Sequence, residues 1–511
     1  MRGACKSSAS RVAHAARRHR AKLGCAASAL LVSAGVAMLA GCKPVGPNYQ
    51  RPPFTAPAVY KETGAPTVIV PPPNPDGGSW QPASPSDGMM KGKWWEAYQD
   101  PQLNQLEERI AAVNQGLHQA LETYLAARDQ IAVARSNLYP TLSAGPGFAH
   151  ENESKHRPLA NGATPNSYND LTLEGAGSWE PDFWGRVRRN VEAAHANAQA
   201  SAADMANVDL SLQAQMATAY FQLRGADSLI QFLDSTVKDL ENQLDLTERR
   251  LKGGVATEAD VAQARTQLET VRAQRVDVEQ ARAQYEHLVG TIADYKLPTF
   301  SIPFSPLNSE LPDIPVGVPS QLLERRPDIA AAERRTQAAN AQIGIAVSAF
   351  YPNISLNGTG GFESTHGGTW IQGPSALWSL GAQATELLFD AGQRHALTDQ
   401  ARHNYEAQVS DYKGVVFLAF EDVEDQLSSL RVLARESVAE QAAVASARHS
   451  FDISSQRYKG GVTSYLEVLT AEQTLLQNEQ TAVGLQTRQF VASVGLIRSL
   501  GGGWDATQLP K

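Results

Sequence analysis

The strongest constraint on this 511-residue chain is an internal duplication. Ala127, Gln130, Ile131, Ala134, Ser136, Tyr139 and Pro140 recur 212 positions later as Ala339, Gln342, Ile343, Ala346, Ser348, Tyr351 and Pro352. A second set recurs at an offset of 207: Arg250, Lys252, Gly253, Gly254, Val255, Val261, Ala264 and Leu268 return as Arg457, Lys459, Gly460, Gly461, Val462, Val468, Ala471 and Leu475. Two matches in the same order mean a duplicated half-chain, so whatever one half folds into, the other must fold into as well. The join falls in the Pro-rich stretch between Leu297 and Pro319. The expected organisation is a first repeat over 91–300, a linker over 301–319, a second repeat over 320–500 and a tail over 501–511.

Within each half, apolar residues step by fours and threes. Tyr405, Val409, Tyr412, Val416, Ala419, Val423, Gln426, Leu430 and Leu433 form one such narrow stripe, and Met205, Val208, Leu212, Met216, Ala219 and Leu223 another. Val261, Ala264, Leu268, Val271 and Val278 continue the pattern on the next helix. This is the spacing of a coiled-coil seam. No Pro interrupts the run from Arg186 to Leu251, so the helix there reaches roughly 100 Å at about 1.5 Å per residue. The Gly-Gly pairs that interrupt the runs, Gly253-Gly254 and Gly460-Gly461, read as tips where a long helix turns back on its partner, because Gly takes positive φ without strain.

A second rhythm follows each Tyr-Pro. Ile354, Leu356, Gly358, Gly360 and Phe362 alternate with Asn353, Ser355, Asn357 and Thr359, and Leu142, Ala144 and Phe148 alternate more weakly with Ser143, Gly145 and Gly147. Returning strands carry Leu171, Leu173 and Trp179 against Thr172, Glu174 and Ser178, and Trp378, Leu380, Ala382 and Ala384 against Ser379, Gly381, Gln383 and Thr385. Four strands of about ten residues, apolar on one face and flanked by Tyr139, Tyr351, Trp179 and Trp370, carry the per-segment signature of a transmembrane barrel. A small soluble sandwich is the alternative. Four strands cannot close a barrel, and an open edge in lipid leaves backbone groups unpaired, so several chains must contribute.

The N-terminus adds a compartment. Seven basic residues from Arg2 to Lys22 precede an uncharged run to Ala40, the pattern of a secretory signal. Leu39-Ala40-Gly41-Cys42 resembles a bacterial lipobox, so 1–41 is expected to be a lipoprotein signal peptide and Cys42 the lipidated residue. Cys5 and Cys25 leave with that segment, which excludes an intrachain disulfide. Residue 43 is Lys, not the Asp that the resemblance to bacterial lipoproteins associates with inner-membrane retention, so that resemblance implies the outer membrane. From 42 to 90, repeated prolines forbid a regular helix and suggest a lipidated tether.

Composition narrows the function. With seven of its 45 basic residues in the leader, the processed chain sets 38 bases against 53 acids, a net −15 that would repel nucleic acid. The sequence has no His-Glu-x-x-His, Gly-x-Ser-x-Gly or phosphate-binding loop, its 11 His are scattered, and no Met cluster remains after processing. No catalytic residue, cofactor or metal is expected.

Several motifs, in order, then resemble the TolC-like outer-membrane efflux proteins, specifically the lipidated NodT/OprM type. They are Trp94-Trp95-Glu96-Ala97-Tyr98 with Asp100-Pro101, the stretch Trp179-Glu180-Pro181-Asp182-Phe183-Trp184-Gly185-Arg186, Glu324-Arg325-Arg326-Pro327-Asp328-Ile329, and the paired Lys-Gly-Gly-Val turns. The resemblance implies a mixed α/β membrane protein: a homotrimer with a 12-stranded outer-membrane β-barrel, four strands per chain, continuous with a periplasmic α-helical coiled-coil barrel. It implies the outer-membrane factor of a tripartite RND multidrug efflux pump, passively conducting small molecules from an inner-membrane RND-type transporter and a periplasmic membrane-fusion adaptor to the exterior. By the same resemblance, Arg250, Lys252, Gly253, Gly254, Arg457, Lys459, Gly460 and Gly461 form the adaptor-docking tips. Leu466, Glu467, Thr470 and Asp260 lie at the periplasmic gate, where Thr470 departs from the acid the family carries. Polypeptide or metal-ion export, and a non-conducting structural coiled-coil lipoprotein, remain the alternatives.

Overall fold

The computed structural model describes residues 43–63, 92–154, 156, 167–308, 310–317 and 319–510. The expected signal peptide, Cys42 and residues 64–91 of the expected tether lie outside the described residues.

In chain order the elements are α1 (Pro101–Val113), α2 (Gln115–Ser136), β1 (Thr141–Asn152), β2 (Ser167–Trp179), α3 (Arg186–Lys252), α4 (Glu258–Ile292), the single turn α5 (Leu322–Arg325), α6 (Pro327–Ser348), β3 (Asn353–Ser364), β4 (Ala376–Thr385), α7 (Gln393–Lys459) and α8 (Tyr465–Ser499). The duplication is visible in the lengths: α3 and α7 both have 67 residues, and α4 and α8 both have 35. By contacts the described chain divides into two compact units. One takes the residues up to 51, with 127–198 and 335–408; the other takes 52–126, 199–334 and 409–510, so each draws on both repeats.

The first unit holds one antiparallel sheet in the order β1-β2-β3-β4. The pairings Phe148 with Leu171, Leu173 with Phe362 and Gly358 with Leu380 keep a constant face through all four strands. On that face stand Leu142, Phe148, Leu171, Leu173, Ile354, Leu356, Phe362, Trp378 and Leu380, because side chains alternate across a strand and register fixes which ones align. The opposite face carries Ser143, Thr172, Glu174, Ser178, Asn357, Thr359 and Ser379, joined by bonds such as Ser178 Oγ to Asn357 Oδ1 at 2.9 Å. The apolar face is bare: Leu142, Trp378 and Leu380 are 83%, 77% and 81% exposed. A soluble sandwich would bury it, so that alternative fails on geometry.

Ring and cap contacts fix the ends of the sheet. The Trp184 ring stacks on Tyr351 at 4.8 Å and its Nε1 donates to the Pro352 carbonyl, while Trp179 Nε1 donates to the Leu138 carbonyl. Asp182 starts α3 by accepting the backbone N–H groups of Val187 and Arg188, and Asp390 starts α7 by accepting those of Gly392 and Arg394. Residues 43–48 are pinned at this junction, with Val45 N donating to the Trp184 carbonyl and Arg189 donating to the carbonyls of Val45 and Gly46. Gly185, at φ +83°, leaves no room for a side chain, since a Cβ there would meet Pro44 at 2.5 Å. Residues 43–48, the described start of the expected tether, therefore lie against the first unit, because they supply backbone carbonyls to a buried guanidinium.

In the second unit, the Trp94–Tyr98 turn fills a core with Leu103, Leu106 and Ile110 of α1, Met216, Tyr220, Phe221 and Leu223 of α3, and Phe490, Val494 and Ile497 of α8. Tyr98 Oη and Ser493 Oγ lie 2.7 Å apart, and Trp94 Nε1 donates to Gln213 Oε1 at 3.0 Å. Asp100 caps α1 through the N–H groups of Gln102 and Leu103, and its other oxygen accepts from Tyr220. Arg326 of the third motif pairs with Asp328 and Asp422. The heptad stripe of α7 is buried as the spacing requires, with Tyr412, Val416, Ala419 and Val423 each at most 1% exposed.

Candidate functional site

The two hairpins, α3–α4 and α7–α8, end in tips of the same construction. Each long helix closes with a bond from the first glycine back to the carbonyl four residues earlier, Gly253 N to Arg249 O and Gly460 N to Gln456 O. The second glycine takes the left-handed conformation, φ +72° at Gly254 and +74° at Gly461. Val255 N and Val462 N then return to the Arg250 and Arg457 carbonyls, which closes the turn, and both valine side chains stay exposed, at 66% and 70%.

The residues expected at the docking tips sort into two groups. Lys252, Arg457 and Lys459 are exposed. Arg250 is not: its guanidinium lies 4.3 Å above the Tyr458 ring and its Nη2 donates to the Tyr458 carbonyl at 3.1 Å. It crosses from the first hairpin to the second and joins them.

The expected gate residues also divide. Leu466 is 56% exposed, and Thr470 Oγ1, one turn further along α8, donates to its carbonyl. Glu467 is exposed and lies 3.9 Å from Arg457. Asp260, its counterpart at the repeat offset, closes a capping box on α4: it accepts from Thr257 N at 2.8 Å while Thr257 Oγ1 accepts from Asp260 N. The equivalent Ser464 makes no such bond. The two carboxylates that look alike in sequence are thus placed differently, one fixed in a cap and one held only by an exposed ion pair.

Behind Leu466 lie Tyr465, of the same stretch past the second tip, and two residues that nothing in the sequence marks, Gln243 and Glu472. Tyr465 is 1% exposed and its ring packs 5.4 Å from Tyr458. Gln243 Nε2 of α3 donates to Tyr465 Oη at 3.2 Å and to Glu472 Oε2 at 3.4 Å. Burial, with the nearby Asp239 charge, pushes the Glu472 carboxyl up to about 7. The Tyr465 hydroxyl is pushed up to about 12, mainly by burial and then by Glu472. The sequence signal was available: Tyr458 and Tyr465 flank the Gly-Gly turn seven residues apart. Further along, α4 and α8 pair side by side through Gln267 with Gln473 and Gln274 with Gln480, each separated by 206 residues, one less than the repeat offset.

An outward apolar sheet with a polar reverse face, joined in chain order to paired long helical hairpins, defines a membrane-embedded channel subunit. The chain belongs to the outer membrane efflux protein family, whose model matches residues 106–288 and 318–502, and it is an outer-membrane efflux channel. The probable efflux pump outer membrane protein TtgC of Pseudomonas putida is 28% identical over 91% of this chain and 94% of its own length. The pyoverdine export outer membrane protein OpmQ of Pseudomonas aeruginosa is 29% identical over 83% of this chain and 90% of its own. Among solved structures, the outer-membrane channel OprN superposes with a TM-score of 0.80 at 28% identity, covering 90% of this chain and 99% of that one.

Proposed function

We propose that the protein works as the exit duct of a tripartite pump, a trimer that receives small molecules through a periplasmic adaptor from an inner-membrane RND-type transporter and releases them outside without chemistry. The observation that carries this reading is the sheet: its apolar face is bare, and both of its edge strands, β1 and β4, are left without partners among the described residues of a single chain. Unpaired backbone groups in hydrocarbon are disfavoured by several kcal/mol each, so three copies joining β4 to β1 satisfy both the edges and the face. The strands alternate in direction along the sheet, so β4 of one copy meets β1 of the next antiparallel, as closure requires. The solvated polar face then lines the lumen. Cys42 supplies a lipid anchor in this reading, which is supported by the hold on the residues just after it, where Val45 N donates to the Trp184 carbonyl.

In this reading the exposed tip cations Lys252, Arg457 and Lys459, with Val255 and Val462 between them, form the adaptor surface, and Arg250 holds the two tips together. Leu466, repeated by symmetry, narrows the resting aperture, and Glu467 sets its charge. The test is single-channel recording from the purified trimer in planar bilayers. Discrete current steps are expected, and Leu466→Ser is expected to raise resting conductance several-fold; a trimer without current steps would exclude the duct, and an unchanged variant would exclude Leu466 as the constriction.

A further inference from the structure

We propose that Gln243, Tyr465 and Glu472 form a proton-operated latch that holds the N-terminal end of α8 against α3. The inference rests on the aperture reading of Leu466, which adjoins Tyr465.

The geometry is that of a fastening across two hairpins. Gln243 belongs to α3 of the first hairpin; Tyr465 and Glu472 stand two turns apart on α8 of the second, on one helical face. A single amide therefore clamps the start of α8, with Nε2 bonding to Tyr465 Oη at 3.2 Å and Glu472 Oε2 at 3.4 Å. Tyr465 in turn packs on Tyr458, on whose ring and carbonyl Arg250 is seated. Glu472 is 6% exposed.

Among the described residues no cation acts on Glu472. On α3 it faces Asp239, one turn before Gln243, which disfavours its ionised form. On α4, Asp260 acts on Tyr465 from its capping box, Arg265 is paired to Glu248, and Arg272 to Glu241 and Glu269. On α7, Arg457 is drawn to the exposed Glu467. Tyr465 stays neutral at every pH the periplasm reaches, so Glu472 is the group that changes.

The sign follows from linkage. A carboxyl that titrates near 7 when packed, against 4.5 when free, favours the packed state fully below 4.5 and loses that preference as pH rises through about 7. Protonated, Glu472 accepts from Gln243 as a neutral acid and the latch is shut; that bond on its own favours the ionised form, but burial and the Asp239 charge outweigh it. Ionised beside Asp239, it is a buried uncompensated charge, and the end of α8 loosens. The periplasm equilibrates with the medium, so outside acidity would tighten the tip and alkalinity would free it.

The test uses the full-length trimer and two readouts. Hydrogen exchange, corrected for intrinsic rate, should show protection of amides 465–476 falling about tenfold between pH 6 and pH 8. Glu472→Gln, the uncharged isostere, should hold the pH 6 protection at both values, and Asp239→Asn should move the midpoint down in pH. Flat protection in the wild-type protein, or an undiminished fall in Glu472→Gln, would overturn the latch. Resting conductance across the same pH range reads the aperture separately: protection that responds while conductance does not would leave the latch standing and remove Leu466 from the gate.

Discussion

Single side chains in this protein show how far burial overrides the character of a residue. Asp227, with no exposed surface, is fully matched: Arg224 Nη1 lies at 3.0 Å, Arg282 Nε at 2.6 Å and Ser305 N at 3.0 Å, so one carboxylate ties α3, α4 and the inter-repeat linker together. Glu107 is the opposite case. It is 1% exposed and neither carboxyl oxygen has a hydrogen-bond partner among the described residues. Burial, reinforced by the charge of Asp209, raises its pKa well above the usual carboxylate range. Such a group favours the folded state below its unfolded pKa of 4.5, and that contribution disappears as pH climbs through the raised folded value. Glu107→Leu is therefore expected to stabilise the protein by about 1–3 kcal/mol at pH 8, with a smaller gain at pH 5. Apparent Tm across that range checks it, and a variant less stable at pH 8 would show that Glu107 has a partner. In the sequence Glu107 stands beside Glu108 in an ordinary amphipathic helix, and only the packing of α1 decides which of the two faces inward.

At the scale of elements, the long hairpins were legible because their signals are local. Heptad stripes set the seams, and Gly-Gly set the reversals. A Cβ on Gly254 or Gly461 would meet nothing within 4 Å, so the need for glycine there is purely one of backbone conformation. Gly461→Ala is accordingly expected to destabilise the second hairpin by about 1 kcal/mol without displacing any neighbour. Faster hydrogen exchange confined to the residues around 457–466 would bear this out, whereas a change spread along α7 would contradict it. The expected gate pair Asp260 and Glu467 was only half legible. Both occupy the third position of their helices, but the capping box closes at Thr257 and stays open at Ser464, where Glu467 instead lies 3.9 Å from Arg457. The contacts of Tyr465 were not legible for a related reason: its partner Gln243 lies 222 residues away in sequence, beyond any periodicity.

For the whole molecule, closure is the deciding step. Ser143 of β1 and Gln383 of β4 both stand on the polar face of their edge strands. A background with Cys5, Cys25 and Cys42 all replaced by Ser removes the three native cysteines and gives a clean test of strand joining. Paired cysteines scanned over Thr141, Ser143 and Gly145 against Ser379, Gly381 and Gln383 should produce an intermolecular disulfide ladder ending at three chains. Cross-links confined to monomers, or a ladder continuing past three, would refute the trimeric barrel. The sequence by itself determined the duplication, the helical hairpins with their glycine tips and the two-faced strands, since each of these is encoded in spacings of a few residues. Tertiary structure alone decided the common register that makes one continuous apolar face of four strands, the choice of which carboxylates are buried, and the meeting of Gln243 with Tyr465 and Glu472. Those depend on contacts between residues tens to hundreds of positions apart, where packing and desolvation, not local propensity, set the outcome.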